Sequence, residues 1–249
     1  MPDTRTHRGP HPDDARLFGP PHRPTLREAT SDLSWLLTQG YVNPSALKLV
    51  GDRFRLSARQ RTAVERCSCS DAAIARREAH RVGPERLAGQ ALWLDGYNVL
   101  TTIEAALAGG VILAARDGTF RDMASMHGSY RKVAETRPAV ELLGRVIAAL
   151  GVAECRWYLD RPVSNSGRLK KAIDQMAADQ GWTWAVELVP DPDSILAKTD
   201  RIVVTADSVI LDRCRAWFNL ARETVTRHVP EADVVDLAAP SRGPKDRTI

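Results

Sequence analysis

From Thr25 onward the apolar positions fall at helical intervals. Leu26, Ala29, Leu33, Leu36 and Leu37 recur three and four residues apart until Gly40 breaks the run. Thr25 with Glu28 predicts a capping box at its start. A turn through Asn43-Pro44 opens a second short helix, Ser45 to Val50. Ser57 caps a third, Ala58 to Cys67, and a fourth runs from Asp71 to His80. This grammar predicts an all-helical, Arg-rich domain over residues 25–85, without strands.

Past Gly83-Pro84 the pattern changes to short, mainly apolar runs. Ala91-Leu-Trp-Leu94, Arg156-Trp-Tyr-Leu159, Trp182 to Val189 and Arg201 to Thr205 read as strands buried on both faces. Helices are expected between them at Thr101–Ala108, Pro138–Leu150 and Gly167–Asp179, and after the last at Val209–Trp217. Val111 to Phe120, turning at Asp117-Gly118, predicts a hairpin, and Val234 to Leu237 a further edge strand. Strands alternating with helices predict an α/β domain over 91–238, three-layered, with a mainly parallel central sheet. The Pro-rich segment 1–24 reads as a disordered arm and the polar segment 239–249 as a flexible tail.

Composition sharpens this picture at three points. No run approaches the roughly 18 consecutive apolar residues of a membrane helix, and the N-terminus lacks the apolar core of a secretory signal, so a cytoplasmic protein without a membrane partner is expected. Cys67 and Cys69 form C-x-C without a second pair to complete a zinc site, so reduced thiols are expected. The basic excess is confined to the first third. Residues 1–90 carry 15 Lys and Arg against 10 Asp and Glu, whereas residues 91–249 carry 20 against 21. Arg53, Arg55, Arg59, Arg61 and Arg66 crowd into fourteen residues, offset by Glu65. A solvated helix face is the plain explanation. A nucleic-acid contact through Arg53, Arg55, Arg59 and Arg66 is the functional one.

The strand ends carry the candidate chemistry. Three apolar runs finish on aspartate: Asp95, Asp160 and Asp207. In an open parallel sheet ligands bind beyond the carboxyl ends of the strands, so these carboxylates are expected to converge, with Asp212 reaching the same cleft. Like charges so placed call for a counter-ion, and an all-oxygen donor set favours Mg²⁺ or Mn²⁺ over zinc. Each aspartate also has a plain role: Asp207 as a helix cap, Asp160 as a turn residue, Asp212 as a partner of Arg215. Asn98 is expected either to orient a water or phosphate or to cap a helix. His127 and Arg131, in His127-Gly-Ser-Tyr-Arg131, suit a loop that touches phosphate.

Trp93-Leu-Asp-Gly-Tyr-Asn-Val-Leu100 resembles the first strand of PIN and NYN-type nucleases, where a strand-terminal Asp begins the metal site and an Asn follows. Val203-Val-Thr-Ala-Asp-Ser-Val-Ile-Leu-Asp212 resembles the late PIN strand, which ends in Thr-x-Asp with an acid one helical turn on. A longer pattern is similar to an uncharacterised prokaryotic family, domain of unknown function 434. It includes Trp35-Leu-Leu-Thr-Gln-Gly-Tyr41, Leu49-Val-Gly-Asp-Arg-Phe-Arg-Leu56, His127-Gly-Ser-Tyr-Arg131 and Asp160-Arg-Pro-Val-Ser-Asn-Ser-Gly167, and spans about residues 25 to 238. The PIN resemblance implies a metal-dependent ribonuclease. Asp95, Asp160 and Asp207 would hold the metal, Asp212 and Asn98 would support them, and single-stranded RNA would be the partner. PIN enzymes also place an acid in a central helix, and Glu104, Asp117, Asp122 and Glu141 all stay open for that place.

The alternative is a non-catalytic nucleic-acid-binding protein on a degenerate PIN-like fold. A haloacid-dehalogenase-type phosphatase is disfavoured because Tyr97 stands where its second aspartate would be. Neither G-x-x-x-x-G-K-[ST] nor G-x-G-x-x-G occurs, which disfavours a nucleotide-dependent enzyme. Oligomeric state, including homo-oligomerisation, stays open at this level.

Overall fold

The computed structural model describes residues 7–124 and 130–238. Five helices come first: α1 Asp14–Phe18, α2 Arg23–Thr38, α3 Asn43–Arg53, α4 Ala58–Cys67 and α5 Asp71–Ala79. A five-stranded parallel sheet follows, built from β1 Ala91–Asp95, β4 Glu154–Asp160, β5 Trp184–Val189, β6 Ile202–Val204 and β7 Trp217–Phe218. Its spatial order is β5-β4-β1-β6-β7. The chain therefore builds outward from β1 on one side, then returns and builds outward on the other. The reversal lies between β1 and β6, the place where open α/β sheets leave a crevice at their strand ends.

The alternation along each strand explains why the runs read as continuously apolar. Leu92, Leu94, Trp157, Leu159 and Val204 face one core, with α6 (Gly96–Leu107), α7 (Thr136–Ala149), α8 (Ser166–Gln180) and α11 (Leu220–His228). Trp93, Tyr158 and Val203 face a smaller core on the other side, with α9 (Pro192–Leu196) and α10 (Ser208–Leu211). Both faces are covered, so the strand positions over the two cores are apolar, and the polar pair Arg156 and Glu187 lies at the half-exposed β4–β5 side of the sheet.

A second sheet holds β2 Ile112–Ala114, antiparallel to β3 Phe120–Asp122 and parallel to β8 Val234–Asp236. The hairpin is as expected, but the edge strand near residue 234 joins it rather than the main sheet. This sheet is an interposed layer. Ile112 and Ala114 pack into the α/β core, while Val111, Leu113 and Ala115 pack against Leu26, Leu33, Val50 and Val64 of the helical segment. The boundary near residue 85 is thus one of secondary structure, and the hydrophobic core crosses it.

Several local expectations are corrected. The arm expected over 1–24 packs from residue 7 on where it is described: Leu17 and Phe18 are buried, and Arg8 reaches Glu104 inside the α/β core. Residues 1–6 and the tail 239–249 lie outside the described residues. Helix α2 starts at Arg23, with Pro24 in its first turn, so Thr25 and Glu28 form no capping box. The capping box sits instead at Ser57 and Gln60 of α4. The helix expected over 209–217 is short α10, then β7, because Trp217 pairs with β6 and its indole donates to the Arg77 carbonyl. Helix α6 begins directly at Gly96, five residues earlier than the pattern indicated. A Cβ on Gly96 would come within 2.8 Å of the Tyr158 carbonyl and closer still to Leu159, so only glycine lets the helix leave the strand against β4.

Candidate functional site

Asp95 ends β1, Asp160 ends β4 and Asp207 follows β6 as the N-cap of α10. All three line one open cleft of about 370 Å³ over the carboxyl end of the sheet. Asn98, from the first turn of α6, lines it as well. The convergence expected from the strand pattern is therefore present for these four side chains, and the sheet order is its cause: β1 lies between β4 and β6.

A hydrogen-bond chain joins the two central acids. The Thr205 hydroxyl donates to Asp95 Oδ2 at 2.8 Å and accepts from the Asp207 N–H at 2.9 Å. Asp207 Oδ1 in turn accepts from the N–H groups of Val209 and Ile210 at 2.7 and 3.2 Å. Its capping role is real, and its second oxygen is not used by that cap. Asn98 Oδ1 accepts the Ala206 N–H at 2.8 Å, tying α6 to the loop that carries Asp207.

Electrostatics set these acids apart from the others. Burial, then Asp207, Asp193 and Asp160 nearby, push the Asp95 carboxyl up to about 7, against the lowering effect of the Thr205 hydrogen bond. Burial raises Asp160 too, with Asp191 adding to it. No ion pair among the described residues involves Asp95, Asp160, Asp193 or Asp207, whereas most other acids of the chain are paired. No three His, Cys, Asp or Glu groups among the described residues are gathered as a ready metal-binding set. The carboxylates line one cleft and act on one another electrostatically, Asp207 and Asp160 adding to burial in raising both Asp95 and Asp193.

Asp193 is the acid that sequence reasoning missed. It lies in the first turn of α9 and lines the same cleft, its carboxyl raised by burial and by Asp207, Asp160 and Asp191. The signal was present: the run Trp184–Val189 is followed by Asp191-Pro-Asp193, one more apolar strand closing on acids. Of the four acids weighed for the extra place, only Asp122 reaches the cleft. Its Oδ2 accepts from the Thr101 and Thr102 hydroxyls at 3.2 and 2.9 Å. Glu104 is fully buried and held by Arg8, Tyr130 and Thr136. Asp117 is clamped between Arg77 and Arg121, and Glu141 pairs with Arg137 on the surface of α7.

Other candidates are redistributed. Asp212 does not line the cleft; it bonds Arg77 Nε at 2.8 Å, one helix beyond the site and on a different arginine from the Arg215 considered. Among the arginines, Arg53 pairs with Asp32 at 2.9 Å and Arg59 holds Asp14 through two nitrogens at 2.6 and 2.9 Å. Arg55 is exposed in a left-handed conformation (φ 50°) beside a separate cavity. Only Arg66 of this segment reaches the cleft. Arg131 is exposed and does not line it, and its carbonyl accepts from Arg8. His127 lies outside the described residues. Cys67 and Cys69 are free and buried, and burial pushes their thiols up to about 12 and about 11, so neither is a nucleophile at neutral pH.

Residues 84–223, over half of the chain, match a family model described as a domain of unknown function, DUF5616, and the chain belongs to that family. Residues 25–80 match a second model, described as a protein of unknown function, DUF434. The resemblance to the latter is thus confined to the helical segment rather than extending to residue 238. Over 187 residues the chain is 29% identical to an uncharacterised protein of Methanocaldococcus jannaschii, covering 75% of this chain and 89% of that one. No solved structure matches.

Proposed function

We propose that this DUF5616 protein is a Mg²⁺- or Mn²⁺-dependent nuclease of PIN-like type, acting on single-stranded RNA. The observation that carries the reading is the group of unpaired carboxylates at the switch point of a parallel sheet, with Asp95 pushed up to about 7 by burial and by its acidic neighbours. A donor set made only of carboxylate oxygens suits a hard divalent cation. A second feature points the same way. The Tyr97 hydroxyl, on a side chain 3% exposed that also lines the cleft, has no hydrogen-bond partner. Buried hydroxyls are seldom left so, and a substrate oxygen or bound water would satisfy it.

In this reading Asp95, Asp160 and Asp207 hold the cation, and Asp193 completes the acidic wall. Bound there, a divalent ion supplies an activated water and neutralises charge developing on a phosphodiester. The chain's own work is positional. Thr205 fixes the Asp95 carboxylate, Asn98 fixes the loop before Asp207, and Gly96 lets α6 start within the cleft. The PIN-like strand motifs, and not the site geometry, support RNA over DNA.

The test is cleavage of labelled single-stranded RNA and DNA in Mn²⁺, Mg²⁺ and EDTA. Metal-dependent RNA cleavage is expected. Asp95→Asn is expected to lower it at least about a hundredfold, a loss that even the hydrogen-bond partners of metal ligands can cause. RNA binding without metal-dependent cleavage, unchanged in Asp95→Asn, would favour a non-catalytic nucleic-acid-binding protein.

A further inference from the structure

The helical segment contributes one residue to the cleft, and its setting differs from that of every neighbouring arginine. Arg66 lies in the last turn of α4, yet lines the same cleft as Asp95, Asp160 and Asp207. Its guanidinium donates to the backbone carbonyls of Asp122 and Ala124, and its own carbonyl accepts from Arg121. A carboxylate approaches it only at 4.0 Å, from Asp122. Two of its five N–H donors are therefore committed to carbonyls, which fix the fork without neutralising it. The side chain remains 33% exposed.

Its neighbours are spent elsewhere. Arg59 is locked to buried Asp14, and Arg61 bonds Asp52 and the Leu56 carbonyl. Arg121 lines the cleft too, but its guanidinium is consumed by Asp117, Ala206, Arg66 and Ser208. The cleft thus has acids along the strand ends and a positioned, partly exposed guanidinium on α4. A phosphodiester bound at the acids through a cation still carries oxygens that need donors, and a planar fork is the side chain best matched to them.

We infer that Arg66 is a phosphate-binding residue of the cleft, so that the helical segment completes the nucleic-acid site in cis rather than forming a separate binding module. The inference rests on the proposed function for its ligand class, single-stranded RNA. It replaces the whole basic segment with one residue.

The experiment measures binding of a fluorescein-labelled single-stranded RNA to the full chain in Ca²⁺, across a salt series, for wild type, Arg66→Gln, Arg66→Lys and Arg145→Gln. Arg145 is exposed on α7, does not line the cleft and controls for the charge change. Arg66→Gln is expected to weaken binding about tenfold or more. It should also flatten the dependence of log Kd on log salt by about 0.7. Arg66→Lys should keep the salt slope but bind more weakly, because it retains charge and loses the fork. Arg145→Gln should change little.

Arg66→Gln could also loosen the Asp122 turn, so melting temperatures are compared, and Arg66→Lys carries the test if Arg66→Gln does not fold. Equal weakening by Arg145→Gln, unaltered binding in both Arg66 variants, or a wild type that binds no RNA would each overturn the inference. The nuclease reading is judged separately, by metal-dependent cleavage and its loss in Asp95→Asn. A protein that binds RNA through Arg66 but never cleaves it keeps this inference and loses that one.

Discussion

Asp95 at the end of β1 and Asp207 at the N-cap of α10, 112 positions apart in the chain, are joined through a single hydroxyl: Thr205 donates to the Asp95 carboxylate at 2.8 Å and accepts the Asp207 N–H at 2.9 Å. The bridge leaves Asp95 Oδ2 as an acceptor and so favours the ionised carboxylate. Thr205→Val is expected to weaken Mn²⁺ binding about tenfold to a hundredfold, as loss of a ligand's hydrogen-bond partner does. Thr205→Ser should retain most of it. Calorimetric titration of the three proteins with Mn²⁺ checks this, and equal affinities would show the bridge to be structural only.

The pH dependence of stability follows from Asp95. Its carboxyl sits at about 7 in the fold against an ordinary value of 3.8, so between those values the folded state holds a proton that the unfolded chain has released. Stability is therefore fully present below about pH 4 and is lost as pH rises through 7. Without divalent metal, Asp95→Asn should melt about 10 °C above wild type at pH 8 and at nearly the same temperature at pH 4. A wild-type melting curve with the opposite pH trend across this window, unaltered by the substitution, would contradict the assignment.

Asp207 serves two purposes that substitution can separate. Asparagine caps a helix about as well as aspartate, whereas alanine does not. Asp207→Asn should keep the apo melting temperature while losing the stabilisation by Mn²⁺. Asp207→Ala should lose both, at a cost of about 1 kcal/mol for the cap. Persistent Mn²⁺ stabilisation in Asp207→Asn would leave Asp207 as a helix cap alone.

Behind the cleft, Asp117 is buried between Arg77 of the helical segment and Arg121 of β3, and these two guanidiniums and Thr119 hold its carboxyl down to about 2. Asp117→Ala leaves two arginines short of a buried partner and is expected to cost about 3–5 kcal/mol, roughly 10 °C in Tm. The depressed carboxyl contributes stability above about pH 4 that is lost as pH falls toward 2. Acid unfolding of the variant should therefore be flatter in that window, as chemical denaturation at several pH values would show.

How much of this was legible in the sequence depends on the range of each interaction. The main strands were readable because a strand covered on both faces is apolar over most of its length, and Asp95, Asp160 and Asp207 were readable because each closes such a run. Helix α6 was not, since Gly96-Tyr-Asn98 looks like a loop until β4 is seen pressed against Gly96. Asp193 was hidden behind Pro192, which reads as a turn but here starts α9. The fates of the arginines were illegible for a different reason. Arg59 and Arg66 stand a heptad apart on one helix, and which becomes an internal ion pair depends on Asp14, 45 residues from Arg59 in sequence. Likewise Glu104, a candidate by its place after the first strand, is claimed by Arg8 from 96 residues away.

The central claim is that the strand-end acids hold a divalent cation. The most direct measurement is anomalous diffraction from crystals of the full chain soaked in Mn²⁺ near pH 8. The account predicts a peak within about 2.1 Å of carboxylate oxygens from Asp95, Asp160 and Asp207, with Asp193 on the same side of the cleft. A map at saturating Mn²⁺ without a peak among these carboxylates would contradict it.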